Sequence, residues 1–336
     1  MRRGKINLRL FISDIIMMTV VIVGAIVIKN INEDPHGVRH NGWLSVDSSN
    51  IVNEHNEVFQ MRGISSHGIQ WFGDLYNYEN LKYLKEQWGI NVFRVAMYTD
   101  PDIDGYVSHP ELYERATQII DDCVKLDMYV IIDWHILNDG DPRTHQNEAR
   151  EFFERISQQY QNTPNVIYEI CNEPNGETKW EDVKQYADEI IPVIHNNSPK
   201  SLIVVGSPNW SRDLSSIALA PLDFSNIAYA LHFYSGVDNQ TLRTKIDNFR
   251  EKGFAVFVTE CGATNETGDG KLFADTFKRW TDYLDEKQIS WLFWSFSNKE
   301  ETSSIVQPDF ENGQEIDSKL TETGQMLKTI LKPADN

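Results

Sequence analysis

Glu173, in the run Asn172-Glu173-Pro174, and Glu260, in Thr259-Glu260-Cys261-Gly262, each follow a short stretch of apolar and β-branched residues. A carboxyl at the end of a strand is often a helix cap or a salt-bridge partner, so either one alone proves little. Two carboxyls brought face to face can instead act as a protonated acid and an ionised nucleophile, the pairing that cleavage of a glycosidic bond requires. A separation of roughly 5 Å would retain the anomeric configuration through a covalent intermediate, whereas a wider gap would admit water and invert it. Arg94 lies in Phe93-Arg94-Val95, an apolar setting where an unpaired charge is costly, so a buried carboxylate partner is expected. We expect Arg94 to hold Glu260 as the charged member, and that charge to push the pKa of Glu173 up until it can donate a proton.

Three histidines, His67, His135 and His232, follow other apolar runs. A metal site would need clustered ligands, such as two histidines on one helical turn, and none is present in the sequence. Cys123, Cys171 and Cys261 are an odd set without metal-like spacing, better read as small buried hydrophobes than as a disulfide framework. No metal and no cofactor is expected, since no Gly-rich dinucleotide fingerprint follows any strand.

These residues need a frame that collects them. From Gly42 onward, short β-branched runs alternate with longer amphipathic ones, as in a parallel sheet wrapped by helices. Strands are expected at Val58–Ile64, Asn91–Ala96, Tyr129–Asp133, Val166–Ile170, Ser201–Val205, Ile227–Leu231, Ala255–Thr259 and Trp291–Trp294. Helices are expected at Asn77–Gln87, Pro110–Leu126, Gln146–Tyr160, Glu181–Asn196, Gln240–Lys252 and Leu272–Lys287, with a weak one at Arg212–Ala218. Eight such units suit an α/β fold of the (β/α)8 TIM-barrel type, which builds its active site at the carboxyl ends of the strands, where the reactive residues fall.

The ordered set Gly63-Ile64-Ser65-Ser66-His67-Gly68, Ile131-Ile132-Asp133-Trp134-His135, Tyr168-Glu169-Ile170-Cys171-Asn172-Glu173-Pro174, His232-Phe233-Tyr234, Thr259-Glu260 and Trp294-Ser295 resembles glycoside hydrolase family 5, in particular its bacterial endoglucanase branch. The resemblance runs from about Gly42 to the last helix. It implies a retaining endo-1,4-β-glucanase with Glu173 as acid/base and Glu260 as nucleophile, acting on a β-glucan polymer. It further implies that Asn172 holds the sugar 2-hydroxyl, that Arg94 and Tyr234 flank the nucleophile, and that His135 and His232 line the acid/base side. Trp294 would floor the cleaved subsite, and Trp71 and Trp210 would stack on neighbouring rings. Lys299 and Glu301 resemble glycone contacts, and His67 and Tyr98 belong to the same wall. Cys261 departs from the family pattern, where many relatives carry Trp, and its side chain is expected to point into the barrel wall. Mannan, xyloglucan, xylan or mixed-linkage glucan would be served by the same glutamates, because loops decide the polymer. A barrel that keeps the fold and binds glycans without catalysis is the alternative from another class.

The 31 basic and 50 acidic residues give a formal charge of -19, which repels phosphate backbones, so no nucleic-acid partner is expected. Arg2, Arg3, Lys5 and Arg9 precede an apolar run from Leu10 to Ile28 interrupted by Ser13 and Asp14, the form of an export signal. At about 19 residues it is at the short end of what crosses a bilayer. An uncleaved membrane anchor is the favoured reading and a cleaved signal the alternative; both leave the catalytic part outside the cell. The expected layout is a signal or anchor over 1–29, a linker over 30–41 and one catalytic barrel over 42–332, monomeric.

Overall fold

The computed structural model describes residues 34–332. A small antiparallel hairpin, β1 (Ser45–Asp47) and β2 (Asn50–Val52), precedes eight parallel strands that close on themselves. These are β3 (Arg62–Ser66), β4 (Val92–Tyr98), β5 (Tyr129–His135), β6 (Val166–Glu169), β7 (Ile203–Val205), β8 (Ile227–Tyr234), β9 (Val256–Gly262) and β10 (Trp291–Phe296), with β10 paired back to β3.

Side-chain alternation sorts each strand into two environments. In β4, Phe93, Val95 and Met97 pack outward with the helices, while Val92, Arg94, Ala96 and Tyr98 face the barrel axis. The axis is filled in layers. Its floor is apolar, from Val92, Ile131, Ile167, Val204, Ala230, Phe257 and Leu292, and is sealed from below by Leu44, Ile51 and Phe59 of the N-terminal hairpin region. Above the floor lie buried polar groups, Ser65, Arg94, Asp133, Glu169, His232 and Thr259. Tyr98 and Trp294 begin the mouth.

The helices occupy the amphipathic stretches. They include Leu112–Lys125, Gln146–Gln159, Trp180–Asn197, Gln240–Arg250 and Ala274–Glu286, each burying its apolar side against the outer face of the sheet. The helix starting at Tyr78 ends in a widened turn over Leu84–Trp88, closed by Gly89 at φ 75, a left-handed position that glycine adopts without a Cβ clash.

Two expectations need correction. The first barrel strand begins at Arg62, because Val58 bridges back to Val52 while Phe59 and Met61 plug the barrel floor. Residues 34–41 of the expected linker are packed: Val38 and Asn41 are buried, and the Arg39 amide donates to Asp127 Oδ1 at 2.8 Å. Among the described residues no helix is long and apolar enough to cross a membrane. The run from Leu10 to Ile28 that carries the export expectation lies outside them.

Candidate active site

Strict alternation would point only one of Thr259 and Glu260 inward. The register shows otherwise: β9 pairs Phe257 with Ala230 but Glu260 with His232, and the partner on its other side shifts too, from Trp291↔Val258 to Phe293↔Cys261. One extra residue is therefore bulged into β9, and both Thr259 and Glu260 face the axis while Cys261 turns into the outer packing layer. Cys261 thus lies in the wall, its thiol 3.2 Å from the Leu292 carbonyl.

Glu260 is gripped from two sides. Tyr234 donates its hydroxyl to Oε1 at 2.7 Å, and Arg94 Nη1 lies 3.2 Å from Oε2. The guanidinium is fully buried and spends its whole donor fork. Nε reaches Glu169 Oε2 at 2.8 Å, Nη2 reaches Asn172 Oδ1 at 2.7 Å and Asp133 Oδ2 at 3.0 Å, and Nη1 also approaches Ser65 Oγ at 3.4 Å. Burial alone would lower the pKa of Arg94, but the charges of Asp133, Glu169 and Glu260 raise it well above the usual range. Glu169 shows the reciprocal effect: burial pushes it up, yet Arg94 and His232 outweigh that and hold it at about 2. Asp133 goes the other way, raised well above the carboxylate range by burial that Arg94 does not fully offset.

Glu173 stands across the mouth, where His232 Nδ1 meets its Oε1 at 2.8 Å. A carboxylate oxygen of Glu173, one of Glu260 and a ring nitrogen of His232 all fall within 4.8 Å of one another. That spacing leaves no gap for an intervening nucleophilic water and matches the retaining geometry. Such a triangle could suggest a cation. Arg94 against Glu260 and the His232–Glu173 hydrogen bond already satisfy these groups, so a divalent ion would meet a fixed positive charge. The expectation that Glu173 is pushed up is not met: burial raises it, but the hydrogen bond and charge of His232, with His135 and Arg212, bring it below the ordinary value.

The glutamates open onto a cleft of about 650 Å³ lined in part by His67, Tyr98, His135, Trp210, Tyr234, Trp294, Lys299 and Glu301. Trp71 and Trp210 are nearly half exposed, an unusual state for large apolar rings, and Trp71 packs on Tyr98 with centroids 5.0 Å apart and planes tilted by 56°. Trp294 stacks on His135, their centroids 5.4 Å apart and their planes 14° from parallel.

The family model described as Cellulase (glycosyl hydrolase family 5) matches residues 52–300. The chain belongs to that family. It is 40% identical to an endoglucanase of Clostridium saccharobutylicum over 95% of this chain and 70% of that protein. Endoglucanase A of Evansella cellulosilytica is 45% identical over 74% of this chain, which spans about half, 51%, of that relative. Among solved structures, Cellulase Cel5C_n superposes with a TM-score of 0.85 at 41% identity, covering 88% of this chain and 94% of that one. The catalytic domain of Thermobifida fusca endoglucanase Cel5A, solved in complex with cellotetraose, gives 0.82 at 35% identity, covering 88% and 98%.

Within this family 5 chain, the fourteen residues singled out from the sequence gather at one end of the barrel, though not all on the cleft surface. Arg94, Asn172 and His232 lie beneath it, fully buried. Both ends of the Asn172 amide are engaged, Oδ1 by Arg94 and Nδ2 by the Ile136 carbonyl at 3.0 Å and His135 Nε2 at 3.3 Å. A sugar hydroxyl reaching Asn172 must share or replace one of these bonds. Lys299 pairs with Glu301 Oε2 at 2.5 Å, and both line the cleft. The sequence motifs contain Asp133, Glu169 and Thr259, which lie below the site, but assign them no role, and do not include Leu137, Arg212, Val237, Asp238 and Glu266 around it. Asp133 and Glu169 had a signal, a single acid inside an otherwise apolar strand; the loop residues had none.

Proposed function

We propose that this chain is a retaining endo-1,4-β-glucanase in which Glu260 is the nucleophile and Glu173 the acid/base. The observation that carries the reading is the opposed pair of carboxylates within 4.8 Å, at the ends of β6 and β9 in an open cleft walled by tryptophans. Glu260, oriented by Tyr234 and Arg94, attacks the anomeric carbon while Glu173 gives its proton to the departing oxygen. Glu173, now a carboxylate, takes a proton from water, whose oxygen displaces Glu260 and restores both groups. The half-exposed rings of Trp71 and Trp210 and the Trp294 ring in the cleft lining suit the apolar faces of glucose rings. The opening run Met1 to Ile28 supports location outside the cell, secreted or held at the membrane, which fractionation of the producing cells into medium, membrane and cytoplasm tests directly.

Reducing-sugar release from soluble polysaccharides tests the substrate. Strong cleavage of carboxymethylcellulose or mixed-linkage glucan is expected, and strong mannan cleavage without either would overturn the polymer. On an aryl cellobioside with a leaving group that departs unaided, Glu173→Ala should keep its glycosylation rate while Glu260→Ala loses turnover by at least about 10⁴-fold. Equal, wild-type rates in both variants would remove the catalytic assignment.

A further inference from the structure

Glu169 sits at the centre of the barrel, fully buried, and has no place in the chemistry above. One oxygen takes Arg94 Nε at 2.8 Å. The other accepts the hydroxyl hydrogen of Thr259 at 2.7 Å, and the same hydroxyl oxygen lies 3.0 Å from His232 Nε2. Glu169 approaches His232 directly only to 3.8 Å, so Thr259 carries the link. A threonine has one hydroxyl hydrogen. Ionised Glu169 can only accept, so that hydrogen points at Glu169, and the oxygen can meet Nε2 only if Nε2 bears a proton. The other ring nitrogen, Nδ1, is thereby turned to Glu173 at 2.8 Å.

We propose that Glu169, acting through Thr259, is a positioning residue for proton delivery: it fixes the Nε2–H tautomer of His232, so that Nδ1 can store and return the proton Glu173 uses. The proposal rests on the acid/base role of Glu173. At the start of the cycle the proton resides on Nδ1 and faces the Glu173 carboxylate. It crosses the hydrogen bond to Oε1, leaving a neutral ring that keeps Nε2–H, and then passes to the leaving oxygen. The proton taken from water in the second step returns by the same bond. No other group changes its proton count.

The charges around His232 favour this store. Glu169 and Glu173 face it from β6 and the turn beyond, Thr259 and Glu260 from β9, Asp133 from β5 and Arg94 from β4. Arg212, after β7, donates from Nε to the His232 carbonyl at 3.4 Å. Burial opposes a second proton on the ring, but the nearby Glu169 carboxylate, the bond to Glu173 and the charges of Glu260 and Glu173 outweigh it and push the imidazole up to about 9.

Nitrogen-15 NMR of the His232 ring in the wild-type chain decides the tautomer without any variant. Nε2 should stay protonated across the titration and Nδ1 should lose its proton near 9. A neutral ring carrying its proton on Nδ1 overturns the proposal. Kinetics supply the second reading. Thr259→Val keeps shape but cuts the link, and kcat/KM on cello-oligosaccharides should fall by roughly tenfold or more, with the basic limb displaced downward by about one pH unit. The same variant should keep its kcat/KM on the activated aryl cellobioside, and Thr259→Ser should restore the wild-type profile. Equal losses on both substrates with an unmoved basic limb would sink it. A wild-type chain inert on every β-glucan would refute the endoglucanase reading while leaving the NMR result to judge the tautomer.

Discussion

Arg94 is where one side chain carries the most consequence. Its planar fork serves Glu169, Asn172, Asp133, Ser65 and Glu260 at once, which a lysine ammonium with three donors on one atom cannot do. Arg94→Lys should therefore cost about 1–3 kcal/mol in urea unfolding for each buried acceptor left without a donor, although one positive charge remains, and should remove most activity as Glu260 is freed. A variant with an unshifted urea midpoint would show that these carboxylates are neutralised some other way. His67 and His135 add a pH dependence. Burial, followed for His67 by Lys299 and for His135 by Arg94, lowers both from 6.5 to about 3. The unfolded chain then binds protons that the folded one refuses, so stability rises with pH across that window and is lost as pH falls from 6.5 toward 3. His232 has the opposite sense: its contribution is full below 6.5 and fades as pH rises through about 9. Calorimetry should show the melting temperature dropping by at least about 5 °C between neutral pH and pH 4. His67→Gln should blunt that drop. The residues at strand ends were legible from type and order alone. The layer beneath them was not, because one acid in an apolar strand reads equally as a misplaced surface residue until Arg94 is seen to touch it.

At the scale of elements, eight buried strands announce themselves as β-branched runs between turn signals, and their ends carry the site because a parallel barrel aims every strand the same way. Register is harder. Nothing in Val256–Gly262 marks the extra residue that lets Thr259 and Glu260 both face inward, since a bulge depends on what the neighbouring strands pair with. The hairpin over β1 and β2 was missed for a related reason: three-residue strands are too short to show a period, and they hold together by plugging the barrel. Gly262 shows how closely an element fixes a reactive group. A Cβ there would stand 2.5 Å from the Tyr234 ring, whose hydroxyl reaches Glu260. Gly262→Ala should push the ring aside and lower kcat at least about tenfold, as Tyr234→Phe should by removing the donor. The two changes act on one contact, so the double variant should be little worse than either alone. Full additivity would separate the glycine from the tyrosine.

The whole molecule has a reactive end and a sealed end. Its reactive end is polar, carries the cleft and tolerates buried charge because Arg94 balances it. The sealed end depends on residues before the first barrel strand: Val38, Leu44, Ile51 and Phe59 cover an apolar floor that would otherwise face water. Fully burying a side chain of this kind is worth about 1.5–3 kcal/mol, so the group contributes on the order of the net stability of a domain. Two truncations therefore separate roles that lie next to each other in sequence. A chain starting at Asp34 keeps the floor covered and should match the full chain in melting temperature and in kcat/KM on soluble β-glucan, while losing any membrane or export behaviour that the preceding residues confer. A chain starting at Asn53 keeps every residue of the cleft, and Phe59 and Met61 with them, yet strips Val38, Leu44 and Ile51 from the floor. It should melt far lower, or fail to fold, and lose activity only as it unfolds, which parallel thermal unfolding and activity curves would reveal. Retained stability in the second truncation would mean that the barrel closes its own floor and that the hairpin serves another purpose.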